Sequence, residues 1–271
     1  MICGNCSHNC DLSGNNTGLC HARINRGDRI ECENYGAVTS LALDPVEKKP
    51  LAMFHPGSMI LSAGSYGCNM RCMWCQNDSI SRGKIEADHL TPEELVDIAV
   101  NTRSRGNIGI AYTYNEPFVG YEFVYDCAKL AKEKDLVNVC VTNGMLCGER
   151  FDKLIRFVDA YNIDLKSPDR DRYRMIGGDL DLILRNIKKA VECKRHVELT
   201  TLVVPRFNDR EDDIRTIVGL IAGIDTNIPL HITRFFPAGQ MRNEEPTDKE
   251  LLYRFRDIAK DSLKYVFLGN I

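Results

Sequence analysis

From about residue 58 onward, short apolar runs alternate with amphipathic stretches, and nothing else in the chain restricts its fold as strongly. The runs are MILSAG (59–64), IGIAYTY (108–114), VNVCVTNG (137–144), AYNIDLK (160–166), VELTTLVVP (197–205) and PLHITRFFP (229–237). Amphipathic stretches open at Thr91-Pro92, Pro117, Gly148, Asp179, Asp209 and Thr247. Thr91-Pro92-Glu93-Glu94 combines a capping hydroxyl, a proline at the first helical position and acids in the first turn. Apolar strands separated by helices imply a parallel sheet covered by those helices. Six such units are too few to close an eight-stranded barrel, so the expected fold class is α/β, a partial (β/α)6 open barrel. KYVFLGN (264–270) supplies a last short strand at one edge, and AVTSLAL (37–43) a strand leading into the barrel. The expected division is 1–57 for a small cysteine-rich, metal-binding appendage with its lead-in strand, and 58–271 for the barrel.

At 271 residues the chain is long enough for one large domain with such an appendage. Its net charge of −3, with no basic patch interleaved with aromatics, argues against an electrostatic nucleic-acid binder. No apolar run approaches the roughly 20 residues needed to span a bilayer. The N-terminus MICGNCSHNC has neither the basic nor the apolar region of a signal peptide. A cytoplasmic protein with no membrane or nucleic-acid partner is expected.

Twelve cysteines in a reducing compartment point to metal or redox chemistry. Cys3, Cys6, Cys10 and Cys20 form one tight group and Cys68, Cys72 and Cys75 another, while Cys32, Cys127, Cys140, Cys147 and Cys193 are scattered and read as buried packing residues. In GSYGCNMRCMWCQN the pattern Cys-x-x-x-Cys-x-x-Cys places three thiolates on one short loop, able to wrap a 4Fe–4S cubane from one side. Three protein ligands leave one iron open, and the amino and carboxylate groups of S-adenosylmethionine (SAM) can chelate it. The competing reading is zinc, which usually takes paired CxxC knuckles; no fourth ligand lies nearby in sequence. The four N-terminal cysteines fit a structural zinc, an auxiliary iron–sulfur cluster or no metal, with His8 and His21 available as substitute ligands.

The spacing CNMRCMWC, with an aromatic before the third cysteine, resembles the radical SAM superfamily. More narrowly, CGNCSHNC…GLC, YGAVTSLALDPVEKKPLAMFHPGS, AYTYNEP, VTNG, NIDLKS, HITRFFP and YVFLGN are similar to the radical SAM proteins of AmmeMemoRadiSam systems, relatives of pyruvate formate-lyase activating enzyme. The resemblance implies a partial barrel of the radical SAM type, a reduced 4Fe–4S cluster that donates an electron to SAM, and a 5′-deoxyadenosyl radical that abstracts hydrogen. It also implies a low-potential electron donor, flavodoxin or ferredoxin, and a substrate that is either a small molecule or a protein. By the same resemblance Trp74 and Cys75 contact the adenine, Asn115-Glu116-Pro117 stands where the family has Gly-Gly-Glu-Pro, and Glu116 takes the SAM ammonium. Of that motif only Glu-Pro is matched. Asn143, Asp164 and Lys166 match SAM-holding positions, and His231 matches a histidine near SAM.

Each of these has a plainer reading. Glu116 can serve as a helix N-terminal acid, Trp74 as packing, and Asp164 with Lys166 as a mutual ion pair on one strand face. His231 can be a satisfied core residue; Arg206 and Arg234 complete the cofactor-binding candidates, with a surface position the alternative for Arg206. In DPVEKKPLAMFHPG, Lys48 and Lys49 read as a solvated turn, with His55 a candidate to face the substrate mouth. Two further functions compete with radical SAM chemistry of the AmmeMemoRadiSam type: activation of a glycyl-radical enzyme, and a non-catalytic iron–sulfur or zinc carrier.

Overall fold

The computed structural model describes residues 1–14 and 16–271. Its main sheet has eight strands: β1 (Ser40–Pro45), β2 (Met59–Gly64), β3 (Asn107–Tyr112), β4 (Val137–Thr142), β5 (Ala160–Asp164), β6 (His196–Val203), β7 (Leu230–Arg234) and β8 (Val266–Gly269). They lie side by side in chain order. β2 to β8 run parallel, and β1 adds antiparallel to β2 with Ser40 opposite Gly64 and Pro45 opposite Met59. β1 and β8 are the two edges, so the sheet curls without closing, the partial barrel that the strand–helix alternation implies.

Side-chain caps open three of the six covering helices, at Thr91, Asp179 and Asp248. Helix α1 (Pro92–Asn101) opens with a complete capping box between Thr91 and Glu94. Helix α2 (Tyr121–Glu133) starts four residues after the proline at 117. Glu116 caps a short 3-10 turn (Pro117–Gly120) by accepting from the Phe118 amide, and this turn precedes the α-helix. Further helices follow β4, β5, β6 and β7 in turn: α3 (Gly148–Leu154), α4 (Leu180–Glu192), α5 (Glu211–Ala222) and α6 (Lys249–Lys260). Their apolar stripes cover the convex face of the sheet in one continuous core that includes Leu95, Ile110, Phe151, Ile163, Ile187, Leu199 and Phe255. Among the described residues no helix is long and apolar enough to cross a membrane.

The concave face is filled differently. After β1 the chain turns back inside the strands' N-terminal ends, and Val46 and Leu51 pack, fully buried, on Ile60, Ala111, Val139 and Ala160. The Asn162 side chain donates to the Pro50 carbonyl at 2.7 Å, tying this segment to β5. Residues 46–54 therefore plug the floor of the barrel.

The N-terminal residues carry a two-stranded ribbon, Arg23–Asn25 against Ile30–Cys32, and lean on the barrel through buried polar contacts. Arg23, 1% exposed, pairs with Glu122 of α2 at 2.7 Å. The Asn5 side chain donates to the Phe118 carbonyl at 2.9 Å and accepts from Arg150 at 2.6 Å.

Because Leu51 has no water-exposed alternative in the folded state, Leu51→Ala should cost about 2–4 kcal/mol of unfolding free energy. Leu41→Ala, at an edge position 40% exposed, should stay within about 0.5 kcal/mol. Urea unfolding of both variants checks the plug; equal effects would contradict it.

Candidate active site

The loop that follows β2 holds Cys68, Cys72 and Cys75, and other elements clamp it. Asn115 binds it from both sides: its Nδ2 donates to the Tyr66 and Gly67 carbonyls at 3.1 and 3.0 Å, and its Oδ1 accepts from the Ser65 amide at 3.0 Å. Asn143, just beyond β4, donates to Asn69 Oδ1 at 2.7 Å, and Asn69 donates to the Met145 carbonyl. Two guanidiniums cap carbonyls of the cysteines themselves, Arg71 on Cys68 at 2.9 Å and Arg82 on Cys72 at 2.7 Å. Gly239 (φ +57°) lies so close that a Cβ there would come within 2.6 Å of the Met73 carbonyl oxygen and 3.1 Å of the Cys75 amide. The loop's shape is thus held from β3, β4 and the segment after β7.

All three cysteines face one cavity of about 940 Å³, large for a small-molecule site. They are free thiols. Burial pushes the Cys68 and Cys72 thiols above their ordinary values, so a metal that replaces the protons relieves that cost. Among the described residues no three His, Cys, Asp or Glu side chains converge on a single metal ion. Three thiols bordering one cavity are the donor type that iron–sulfur clusters take, and the donor set fits such a cluster.

Asp164 and Lys166 border the same cavity and pair at 2.7 Å. Burial works against the Lys166 charge, but the Asp164 carboxylate outweighs it and holds the ammonium proton more tightly than usual. The plainer reading of a mutual ion pair is therefore present, and the pair also faces the cavity. Glu116 is 3% exposed and already engaged: Oε1 accepts from Thr142 at 2.6 Å and the Phe118 amide at 3.0 Å, and Oε2 from the Asn143 amide at 2.7 Å. Burial pushes its carboxyl up to about 7 in spite of these donors. Trp74 lines the cavity with its ring 4.5 Å from that of Phe207, so its side chain packs.

His231 on β7 also points inward, stacked 5.2 Å from the Phe267 ring. Its Nε2 lies 2.6 Å from Glu198, a side chain with no exposed surface, and His196 Nε2 lies 2.8 Å from the other oxygen. The Ala52 and Met53 amides of the plug donate to the same carboxylate at 3.0 and 2.8 Å. Burial opposes a charge on Glu198, yet these four partners prevail and lower its pKa to about 2. Sequence reasoning missed Glu198; the available signal was an acid in mid-strand with His196 two residues before it, on the same face.

The remaining candidates lie elsewhere. Arg234 sits three residues past His231, and strand parity turns it to the other face, where it donates to the Thr247 carbonyl at 2.7 Å. The Arg206 side chain is 72% exposed and pairs with Glu244 at 2.5 Å. His55 is exposed, its ring edge-on to Phe54, and does not line the cavity. Cys3, Cys6, Cys10 and Cys20 surround a separate void of about 10 Å³ beside His8; burial pushes Cys6 up to about 12.

The model of the radical SAM superfamily matches residues 63–217, more than half of the chain and all of the cysteine loop. The chain belongs to the radical SAM superfamily. It is 38% identical over 275 residues to a protein of Methanocaldococcus jannaschii described as uncharacterized, covering 99% of this chain and 81% of that one. It is 27% identical over 199 residues to the pyruvate formate-lyase-activating enzyme of Clostridium pasteurianum, covering 71% of this chain and 80% of that one. Its fold resembles that of a radical SAM methyltransferase from Sphaerobacter thermophilus, with a TM-score of 0.62 at 18% identity over 80% of this chain and 67% of that one. As a radical SAM protein the chain is an enzyme, and the superfamily implies SAM and a 4Fe–4S cluster as its cofactors.

Glu198→Gln removes a buried charge and leaves four donors facing an amide, so it should destabilise the fold by about 3 kcal/mol or more at neutral pH. The folded-state pKa lies below the unfolded value of 4.5, so this stabilisation is complete above pH 4.5 and drains away as pH falls toward about 2. Urea melts across that range should show the gap between wild type and variant narrowing on acidification; a gap independent of pH would contradict the assignment.

Proposed function

We propose that this enzyme binds a 4Fe–4S cluster through Cys68, Cys72 and Cys75, cleaves SAM reductively to a 5′-deoxyadenosyl radical, and so abstracts hydrogen from a substrate of the AmmeMemoRadiSam type. One observation carries the reading: the three thiols, the Asp164–Lys166 pair, Asn143 and His231 all border one cavity. When bound, the cluster supplies the electron for cleavage, received in turn from a low-potential donor such as flavodoxin or ferredoxin. In this reading Lys166, whose Nζ spends one bond on Asp164, gives its remaining donors to the SAM carboxylate. Asp164 takes the SAM ammonium or a ribose hydroxyl, and the backbone at Trp74 and Cys75 borders the adenine. Glu116 contributes chiefly by fixing Asn143, and through it the cysteine loop. The plug excludes water from the floor of the site.

Likeness to a pyruvate formate-lyase-activating enzyme over 71% of the chain supports a second reading, activation of a glycyl-radical partner protein. The N-terminal cysteines and the DPVEKKP segment favour the first. A carrier that handled only the cluster would have no use for a cavity of this size with an acid–base pair in its wall. Zinc or an auxiliary cluster at Cys3, Cys6, Cys10 and Cys20 belongs to the same reading; its ligands would close around the small void beside His8.

The test is anaerobic reconstitution with iron and sulfide, followed by dithionite and SAM. Methionine and 5′-deoxyadenosine should form in equal amounts, and Cys72→Ala, which removes one of the three thiolates, should lower the rate by about a hundredfold or more, since loss of an outer-shell partner alone costs about 10–100-fold. A reducible cluster that leaves SAM intact would overturn the reading.

A further inference from the structure

The plug does more than seal the barrel. Lys49 would be expected in solvent on a lysine-rich turn, yet its side chain is only 4% exposed and borders the large cavity. Its Nζ donates to Asp44 Oδ2 at 2.9 Å and stands 4.8 Å from the centre of the Tyr114 ring. Tyr114 donates its hydroxyl to the same carboxylate oxygen at 3.0 Å. An ammonium has three N–H groups, and only one of these is used. Burying a lysine is costly unless its donors are satisfied, so the other two call for acceptors within the cavity.

The surroundings are built to hold this arrangement. Tyr114 is a non-glycine residue at φ +71°, a backbone conformation that carries strain and concentrates at functional sites. Asn77 pins its carbonyl at 2.6 Å, and Gly64 makes room for its ring, since a Cβ there would come within 2.8 Å of the Tyr114 Cδ2. The Glu198 carboxylate and Asn162 lock residues 50, 52 and 53 and so fix the backbone that carries Lys49. Asp44 is shared between two ammoniums, because Lys48 also approaches its Oδ1 at 3.4 Å. Glu47, the other acid at this end of the cavity, accepts from the Gly57 amide at 2.6 Å. The group stands on the β1 side of the gap in the sheet, while Phe267 to Asn270, at the β8 edge, border the cavity from the other side. Asp164 and Lys166 lie on β5, in the middle of the sheet.

We infer that Lys49, set by Asp44 and Tyr114, forms an oxyanion subsite for the enzyme's substrate, taking a carboxylate or phosphate group through the two unspent N–H donors. The inference rests on the radical SAM reading only in assigning this cavity to the substrate of that reaction.

The experiment is equilibrium dialysis of the reconstituted enzyme, saturated with SAM so that the Lys166 end is filled, against [32P]phosphate and separately against [14C]succinate. One saturable site per chain is expected for at least one probe, and which probe binds tells phosphate from carboxylate. Lys49→Met should weaken binding about tenfold or more, the worth of a hydrogen bond to a charged group, and Lys49→Arg should retain most of it. Lys49→Gln keeps a donor at this position and removes the charge, so it should weaken binding as well. It also serves as the decisive variant if Lys49→Met does not fold. Absence of a saturable site for both probes, or unchanged binding in Lys49→Met and Lys49→Gln, would leave Lys49 as no more than the counter-ion of Asp44. SAM cleavage measured on the same preparation separates the two ideas. Cleavage without oxyanion binding overturns this inference alone, and oxyanion binding without cleavage overturns the radical SAM reading alone.

Discussion

A parallel sheet that curls but does not close leaves a concave face that must be dry at one end and usable at the other, and the packing of residues 46–54 into that face is what makes this possible. Val46 and Leu51 fill the floor with hydrocarbon, and Asn162 and Glu198 bind the same segment through its backbone. A buried carboxylate would be a liability alone. Here two histidines and two amides satisfy it, and in return it positions His231 in the cavity wall and fixes the turn that carries Lys49. The apolar base and the polar mouth are therefore one construction.

At the other end the protein solves a different problem, holding a loop of three cysteines in one shape without secondary structure of its own. It does so with asparagines. Asn115, Asn69 and Asn143 each present a donor and an acceptor, and they stitch the loop to the ends of β3 and β4. The Asn115 side chain takes up the loop carbonyls of Tyr66 and Gly67 directly. Glu116 completes the stitch by accepting from both Asn143 and Thr142.

The architecture was largely legible in the sequence because the parallel strands are marked by near-continuous apolar runs and three of the six covering helices by the side-chain caps Thr91, Asp179 and Asp248. Where the limits slipped, local competition explains it: the α-helix after Pro117 starts late because Glu116 first caps a 3-10 turn. In the site, the candidates at strand ends and in the cysteine loop, Cys68, Cys72, Cys75, Asn143, Asp164, Lys166 and His231, border one cavity. Strand parity alone separates Arg234 from His231, a constraint already present in the sequence. Glu198, Lys49 and Tyr114 were not legible for a different reason. Their roles depend on a segment folding back inside the barrel, and nothing in DPVEKKPLAMFHPG distinguishes an inward plug from a solvated turn.

The account stands on SAM binding directly against a cluster held by only three thiolates. The most direct measurement is electron–nuclear double resonance on the reduced, reconstituted enzyme with SAM labelled with 15N at its amino group. The account predicts a 15N coupling to the cluster that disappears when the label is omitted. A reduced cluster whose spectrum shows no such coupling, and does not change when SAM is added, would contradict it.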